Sequence, residues 1–127
     1  MGSCDYRAYG PDYFLDPGEV VLVGVNYRLG PLGFLSYEND EAPGNQGMHD
    51  QVMAMEWVRA HIAAFGGDPA NVTLLGESAG AMSIFMHLVS PLSRGLFQKV
   101  RSRSKRSTSR PKSTIPYKDN CVYCSHV

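Results

Sequence analysis

Gly76-Glu77-Ser78-Ala79-Gly80 places a serine hydroxyl between two glycines at the spacing of a nucleophile elbow. A serine hydroxyl attacks poorly until a base orients it and takes its proton. The pattern carries chemical meaning only where a strand runs in and a helix runs out. Here the apolar Val72-Thr73-Leu74-Leu75 leads in, and an apolar helical pattern over 79–89 leads out. At such a bend the chain reverses sharply, and the two glycines remove crowding between strand and helix while Ser78 takes a strained backbone conformation. Ser78 Oγ then projects above the carboxyl end of a sheet. The N–H of Ala79 lies at the positive end of the new helix, where it is able to donate to an oxyanion.

Four histidines are candidates for the base: His49, His61, His87 and His126. His49 and His61 belong to a helix before the elbow strand and are expected to point away. His87 lies nine positions into the elbow helix. At about 1.5 Å of rise per residue it is too distant to reach Ser78 Oγ, and a structural role is expected. His126 follows a polar tail. The order serine, acid, histidine is met only by Asp119 and His126, which is a poor candidate for an assembled triad. Glu77 is next to the nucleophile, but consecutive side chains diverge at a sharp turn. It is expected to be buried and paired, not to act as the triad acid.

The elements that must position Ser78 follow from periodicity. Residues 1–19 are rich in Gly, Pro, Asp and Tyr and read as loop and turn. Residues 20–27 form a continuous, β-branched apolar run, as in a strand covered on both faces. Residues 28–47 read as a folded connection pinned by Leu32, Phe34 and Leu35, followed by polar turns. Met48, Val52, Met55, Val58, Ile62 and Phe65 recur at helical spacing and predict a helix over 48–65, ended by Gly66-Gly67 and barred from renewal by Pro69. Its methionines read as core. In the elbow helix, Met82, Phe85, Met86 and Val89 are expected on the packed side. Residues 96–100 begin another strand. Strand and helix alternate, so the fold class is α/β, a partial α/β-hydrolase fold with a parallel sheet segment, crossover helices and a nucleophile elbow.

Length and charge divide the chain. Its 127 residues are enough for one ordinary domain and too few for a complete large α/β hydrolase. Residues 1–100 carry 5 basic and 11 acidic side chains, whereas residues 101–127 carry 7 basic and 1 acidic. The expected division is a partial hydrolase domain over 1–100 and a basic Ser/Arg-rich tail over 101–127, which is expected to be disordered. The tail has no aromatic platform or recognition helix, so no specific nucleic-acid partner is expected. Cys4, Cys121 and Cys124 form no secreted disulfide framework, and Cys121-x-x-Cys124 with His126 makes a weak metal or redox site. No cofactor or metal is expected. No apolar run reaches membrane-spanning length, and polar residues follow Met1 with no visible signal peptide.

Several blocks together resemble the type-B carboxylesterase and cholinesterase family: Asn26-Tyr27-Arg28-Leu29-Gly30-Pro31-Leu32-Gly33-Phe34-Leu35, Ala42-Pro43-Gly44-Asn45-Gln46-Gly47 leading to Asp50-Gln51, Ala63-Ala64-Phe65-Gly66-Gly67-Asp68-Pro69, the elbow itself, and Ser90-Pro91-Leu92-Ser93-Arg94-Gly95-Leu96-Phe97. The match covers about residues 9–100. The resemblance implies hydrolysis of small carboxylic esters through an acyl-serine intermediate. Ser78 would be the nucleophile and Ala79 one oxyanion-hole donor. It also implies that Arg28 and Asp50 form a buried structural ion pair. The family's other oxyanion donors precede this chain's first residues, and its acid and histidine lie beyond the departure at Arg101. The chain is therefore expected to be an internal fragment, inactive alone. Many members are secreted, which implies a secretory pathway for the full-length protein. Asn71-Val72-Thr73 is a glycosylation sequon, but it leads into a core strand. The alternatives are a non-catalytic fragment and a cholinesterase-like adhesion or binding relative; the latter has no need of the Ser78 hydroxyl.

Overall fold

The computed structural model of the protein describes residues 20–103 and 123–124. Cys4, Cys121, Asp119 and His126 lie outside the described residues, as does most of the basic tail.

The elbow is built from β4 (Thr73–Glu77) and the helix that follows it, α3 (Ala79–Val89). β4 pairs in parallel with β5 (Lys99–Arg103), with Thr73 opposite Lys99 and Glu77 opposite Arg103. Strand β5 thus continues three residues past the point where the sequence turns basic. The short turn Pro91–Ser93 carries the chain from α3 towards β5, which makes the unit strand, crossover helix, parallel strand. On the other edge of β4 lies the antiparallel β6 (Tyr123–Cys124), drawn from the tail, and beyond it β1 (Val23–Gly24). The sheet order is β1-β6-β4-β5. The sheet is therefore mixed, with one parallel pair, where alternation of strands and helices predicts parallel strands throughout. Within the apolar run 20–27 only Val23–Gly24 pairs as a strand.

The connection over 28–47 is more ordered than a folded loop. It holds a one-turn helix, α1 (Gly30–Phe34), and a small antiparallel pair, β2 (Ser36–Asn39) with β3 (Ala42–Pro43). The helix α2 (Gln46–His61) follows and tightens into a 3-10 turn over Ile62–Phe65, so the helical spacing read over 48–65 corresponds to one continuous rod. Gly66 ends it at φ 84°, with its N–H donating to the carbonyls of Ala63 and Ile62. That left-handed conformation suits glycine because no Cβ collides with the following carbonyl.

The core lies between α2, β4 and α3: Met55, Val58, Ile62, Val72, Leu74, Ile84 and Leu96 are buried together, with Val52, Phe97, Val21 and Val23 packed against them. Each fully buried aliphatic side chain contributes about 1.5–3 kcal/mol relative to leaving it in water. The face that α3 turns to the sheet differs from expectation. Gly80, Ala81 and Ile84 are buried, while Met82, Phe85, Met86 and Val89 are exposed, Val89 at 80%. The reason is steric: the outward side of this helix is as apolar as its inward side, and the elbow sets Gly80 and Ala81 against the backbone at Gly76, which fixes the face turned inward. In α2 the expected stripe holds for Met55, Val58 and Ile62, but Phe65 is exposed and Gln51 is buried in its place.

Candidate active site

Ser78 bridges β4 and α3 with φ 53° and ψ −113°, a combination that a non-glycine residue adopts only under constraint. The constraint is visible next to it. A Cβ on Gly76 would lie 2.5 Å from the carbonyl carbon of Gly80 and 2.6 Å from its oxygen. The first turn of α3 therefore rests directly on the backbone of the strand that precedes it. Ser78 accepts the N–H of Met82 through its backbone oxygen at 3.1 Å, which closes the first turn. Its side chain makes no cap bond to the helix and is exposed. The hydroxyl is therefore held at the top of the strand, free of the backbone and open to a reactant. Ala79 is the first residue of α3 and is exposed as well, with its N–H among the uncommitted donors of a helix start.

Among the described residues no side chain hydrogen-bonds Ser78 Oγ. His49 and His61 lie on α2 and are exposed, and the His61 ring lies 5.2 Å from that of Trp57. His87 is almost fully buried, and both ring nitrogens are engaged: Nδ1 with Ser93 Oγ at 2.8 Å and Nε2 with Gln51 Oε1 at 2.9 Å. Burial holds its pKa below the ordinary value of 6.5. His87 is thus a structural residue, more deeply packed than its position in a periodic helix suggests. Glu77 is half-buried, and its Oε2 has no hydrogen-bond partner among the described residues, in place of the paired carboxylate expected. Among the described residues no group of three His, Cys, Asp or Glu side chains converges on a metal-sized space.

Arg28 and Asp50 do form an ion pair. Arg28 Nη2 donates to Asp50 Oδ1 at 2.7 Å, Nε donates to Oδ2 at 2.9 Å, and the Arg28 backbone N–H donates to Oδ2 at 2.9 Å. The pair is not buried, contrary to expectation: the side chains are 52% and 20% exposed. The Arg28 guanidinium, mainly through its hydrogen bonds, holds the Asp50 carboxyl down at about 2. The pair ties the start of α2 to the end of the apolar run. The Arg28 carbonyl is in turn hemmed in by Gly33 and Gly47, where a Cβ would lie 2.1 Å and 2.5 Å from its oxygen.

Sequence reasoning missed the polar cluster of Gln51, Ser83, His87 and Ser93, all buried. Ser83 and His87 are four residues apart on an otherwise apolar helix, and that spacing was the available signal.

The model of the carboxylesterase family matches residues 1–114. Esterase FE4 of Myzus persicae is 54% identical over 91 residues, which is 72% of this chain and 16% of that protein. Bile salt-activated lipase of Mus musculus is 51% identical over 115 residues, covering 86% of this chain and 19% of that protein. Among solved structures, a thermophilic PNB esterase superposes with a TM-score of 0.56 at 57% identity, over 59% of this chain and 16% of that one. The chain spans less than a fifth of the length of each of these three.

Proposed function

The chain belongs to the carboxylesterase family, and on that premise we propose that Ser78 is the acyl-accepting nucleophile of a serine-type carboxylic ester hydrolase, with the Ala79 N–H as one oxyanion donor. The observation that carries this reading is the backbone of Ser78, strained at φ 53° between a strand and a helix start, with its hydroxyl exposed. In the reaction, Oγ attacks the ester carbonyl carbon as its proton passes to a base. The carbonyl oxygen gains negative charge and is stabilised by the Ala79 N–H and the positive end of α3. Collapse expels the alcohol and leaves an acyl-serine, which water then cleaves. None of the described residues is placed to take that proton, and on this proposal the chain turns over esters feebly or not at all.

The substrate class is a small carboxylic ester, supported by relatives whose names specify esterases and a lipase. Among the described residues no helix is long and apolar enough to cross a membrane. A secretory-pathway location of the intact protein is supported only by kinship with this family.

The test is covalent. Excess imidazole stands in for the base that the described residues lack: the chain is incubated with it and a fluorophosphonate, which phosphonylates serine oxygens, and the adduct is located by mass spectrometry. The adduct is expected on Ser78 and not on Ser83, Ser90 or Ser93, and it disappears in Ser78→Ala. Labelling spread evenly over exposed serines would overturn the assignment.

A further inference from the structure

Four buried polar side chains join α2, α3 and the turn Pro91–Ser93. Ser93 Oγ meets His87 Nδ1 at 2.8 Å, His87 Nε2 meets Gln51 Oε1 at 2.9 Å, Gln51 Nε2 meets Ser83 Oγ at 3.3 Å, and Ser83 Oγ meets the Ala79 carbonyl oxygen at 3.0 Å. Counting donors fixes the direction of every bond. The Ala79 carbonyl only accepts, so the Ser83 hydroxyl donates to it. Ser83 Oγ therefore accepts from Gln51 Nε2, which leaves Gln51 Oε1 facing the ring. That oxygen only accepts, so His87 Nε2 carries the hydrogen. Burial keeps the ring neutral, hence Nδ1 accepts and the Ser93 hydroxyl donates. Turning the Gln51 amide round breaks the line, because Ser83 would then have to donate to Gln51 and to Ala79 with one hydrogen.

We propose that Gln51 and His87 are positioning residues for Ser78: a one-way run of hydrogen bonds from Ser93 to the Ala79 carbonyl pins the first turn of the elbow helix against α2. This rests on the nucleophile reading of Ser78 given above. Ala79, Ser83 and His87 are each four residues apart and so share one stripe of α3, and the single Gln51 amide fits between the last two. The same stripe begins one residue after the nucleophile. Well-packed aliphatic side chains would fill this space without polar groups to satisfy, whereas a directional network accepts one arrangement and rejects slippage of α3 along its own axis. Removing one partner leaves the others buried and unpaired, so the elbow turn has no alternative seat.

The experiment is NMR on the uniformly 15N-labelled 127-residue chain. The His87 ring is expected as a single Nε2–H tautomer in the parent. Gln51→Leu, and independently Ser83→Ala should the first fail to fold, since without Ser83 nothing holds the Gln51 amide one way round, are expected to mix the tautomers and to shift or broaden the Ala79 and Gly80 amide signals. Val58→Ala, a core truncation on the same helix, is expected to lower stability while leaving the tautomer and the elbow amides unchanged, which a merely structural role for Gln51 would not distinguish. An Nδ1–H tautomer in the parent, a parent without one set of His87 signals, or a tautomer and elbow amides untouched by both Gln51→Leu and Ser83→Ala would overturn the proposal. None of these readouts uses ester chemistry. A parent that passes them but is not phosphonylated at Ser78 loses the nucleophile reading alone.

Discussion

Gly76→Ala is the sharpest probe of the elbow. The added Cβ would meet Gly80 carbonyl carbon at 2.5 Å, Gly80 oxygen at 2.6 Å and Ala81 nitrogen at 3.0 Å. All three are backbone atoms of the first turn of α3, so no side-chain rotation relieves the clash. Ordinary contact begins at 3.4 Å, so the helix start must retreat from β4 by about 0.9 Å, and core overpacking of this kind costs about 1–3 kcal/mol. With a urea dependence of about 1 kcal/mol/M for a small domain, a loss of about 2 kcal/mol lowers the unfolding midpoint by about 2 M. A displacement of about 1 Å at a reacting group is also enough to cost about a hundredfold in rate, so Ser78 phosphonylation should slow by more than the change in folded fraction explains. Gly66→Ala is the control. Gly66 has φ 84° but open space around it, so alanine there incurs about 1–2 kcal/mol of left-handed backbone strain with no movement at the elbow. Urea unfolding followed by circular dichroism, with the labelling rate corrected for folded fraction, separates the two. A Gly76→Ala chain no less stable than the parent, and labelled at the parental rate, would refute the close-contact argument.

Two other substitutions test neighbouring links. Ser78→Gly should abolish phosphonylation yet raise stability by about 1 kcal/mol, because glycine relieves the strain at φ 53° and the serine hydroxyl makes no helix cap to lose; thermal melting beside labelling reads both. Asp50→Asn should lower stability at neutral pH by about 1 kcal/mol or less, given the exposure of the pair. The folded carboxyl sits at about 2 against an ordinary 3.8, so the pair's contribution is complete above the ordinary value and is lost as pH falls towards the folded one. The melting temperature of Asp50→Asn should accordingly converge on that of the parent between pH 4 and pH 2, apart from losses common to both chains.

The strand, bend and helix around Ser78 were legible because they depend on local facts: a β-branched run, glycines with a steric duty, and an apolar helix start. The span of α3 follows from sequence alone. Its buried face does not. A helix with Met82, Ile84, Phe85, Met86 and Val89 offers no polar side to mark solvent, and the choice is made by the closeness of β4, which admits Gly80 and Ala81. Sheet order is likewise a non-local property: the antiparallel placement of β6 between β1 and β4 joins segments far apart in the chain. The buried line through Gln51 and His87 escaped for a related reason. A glutamine on a helix reads as surface until the facing helix supplies Ser83 and His87 as partners.

The bend presents the Ser78 hydroxyl, and none of the described residues is placed to act as its base. Stopped-flow mixing of the 127-residue chain with a short-chain aryl ester tests this directly, with Ser78→Ala measured in parallel. No multiple turnover that depends on Ser78 is expected. A rapid burst of one alcohol per chain followed by steady hydrolysis, both lost in Ser78→Ala, would contradict it.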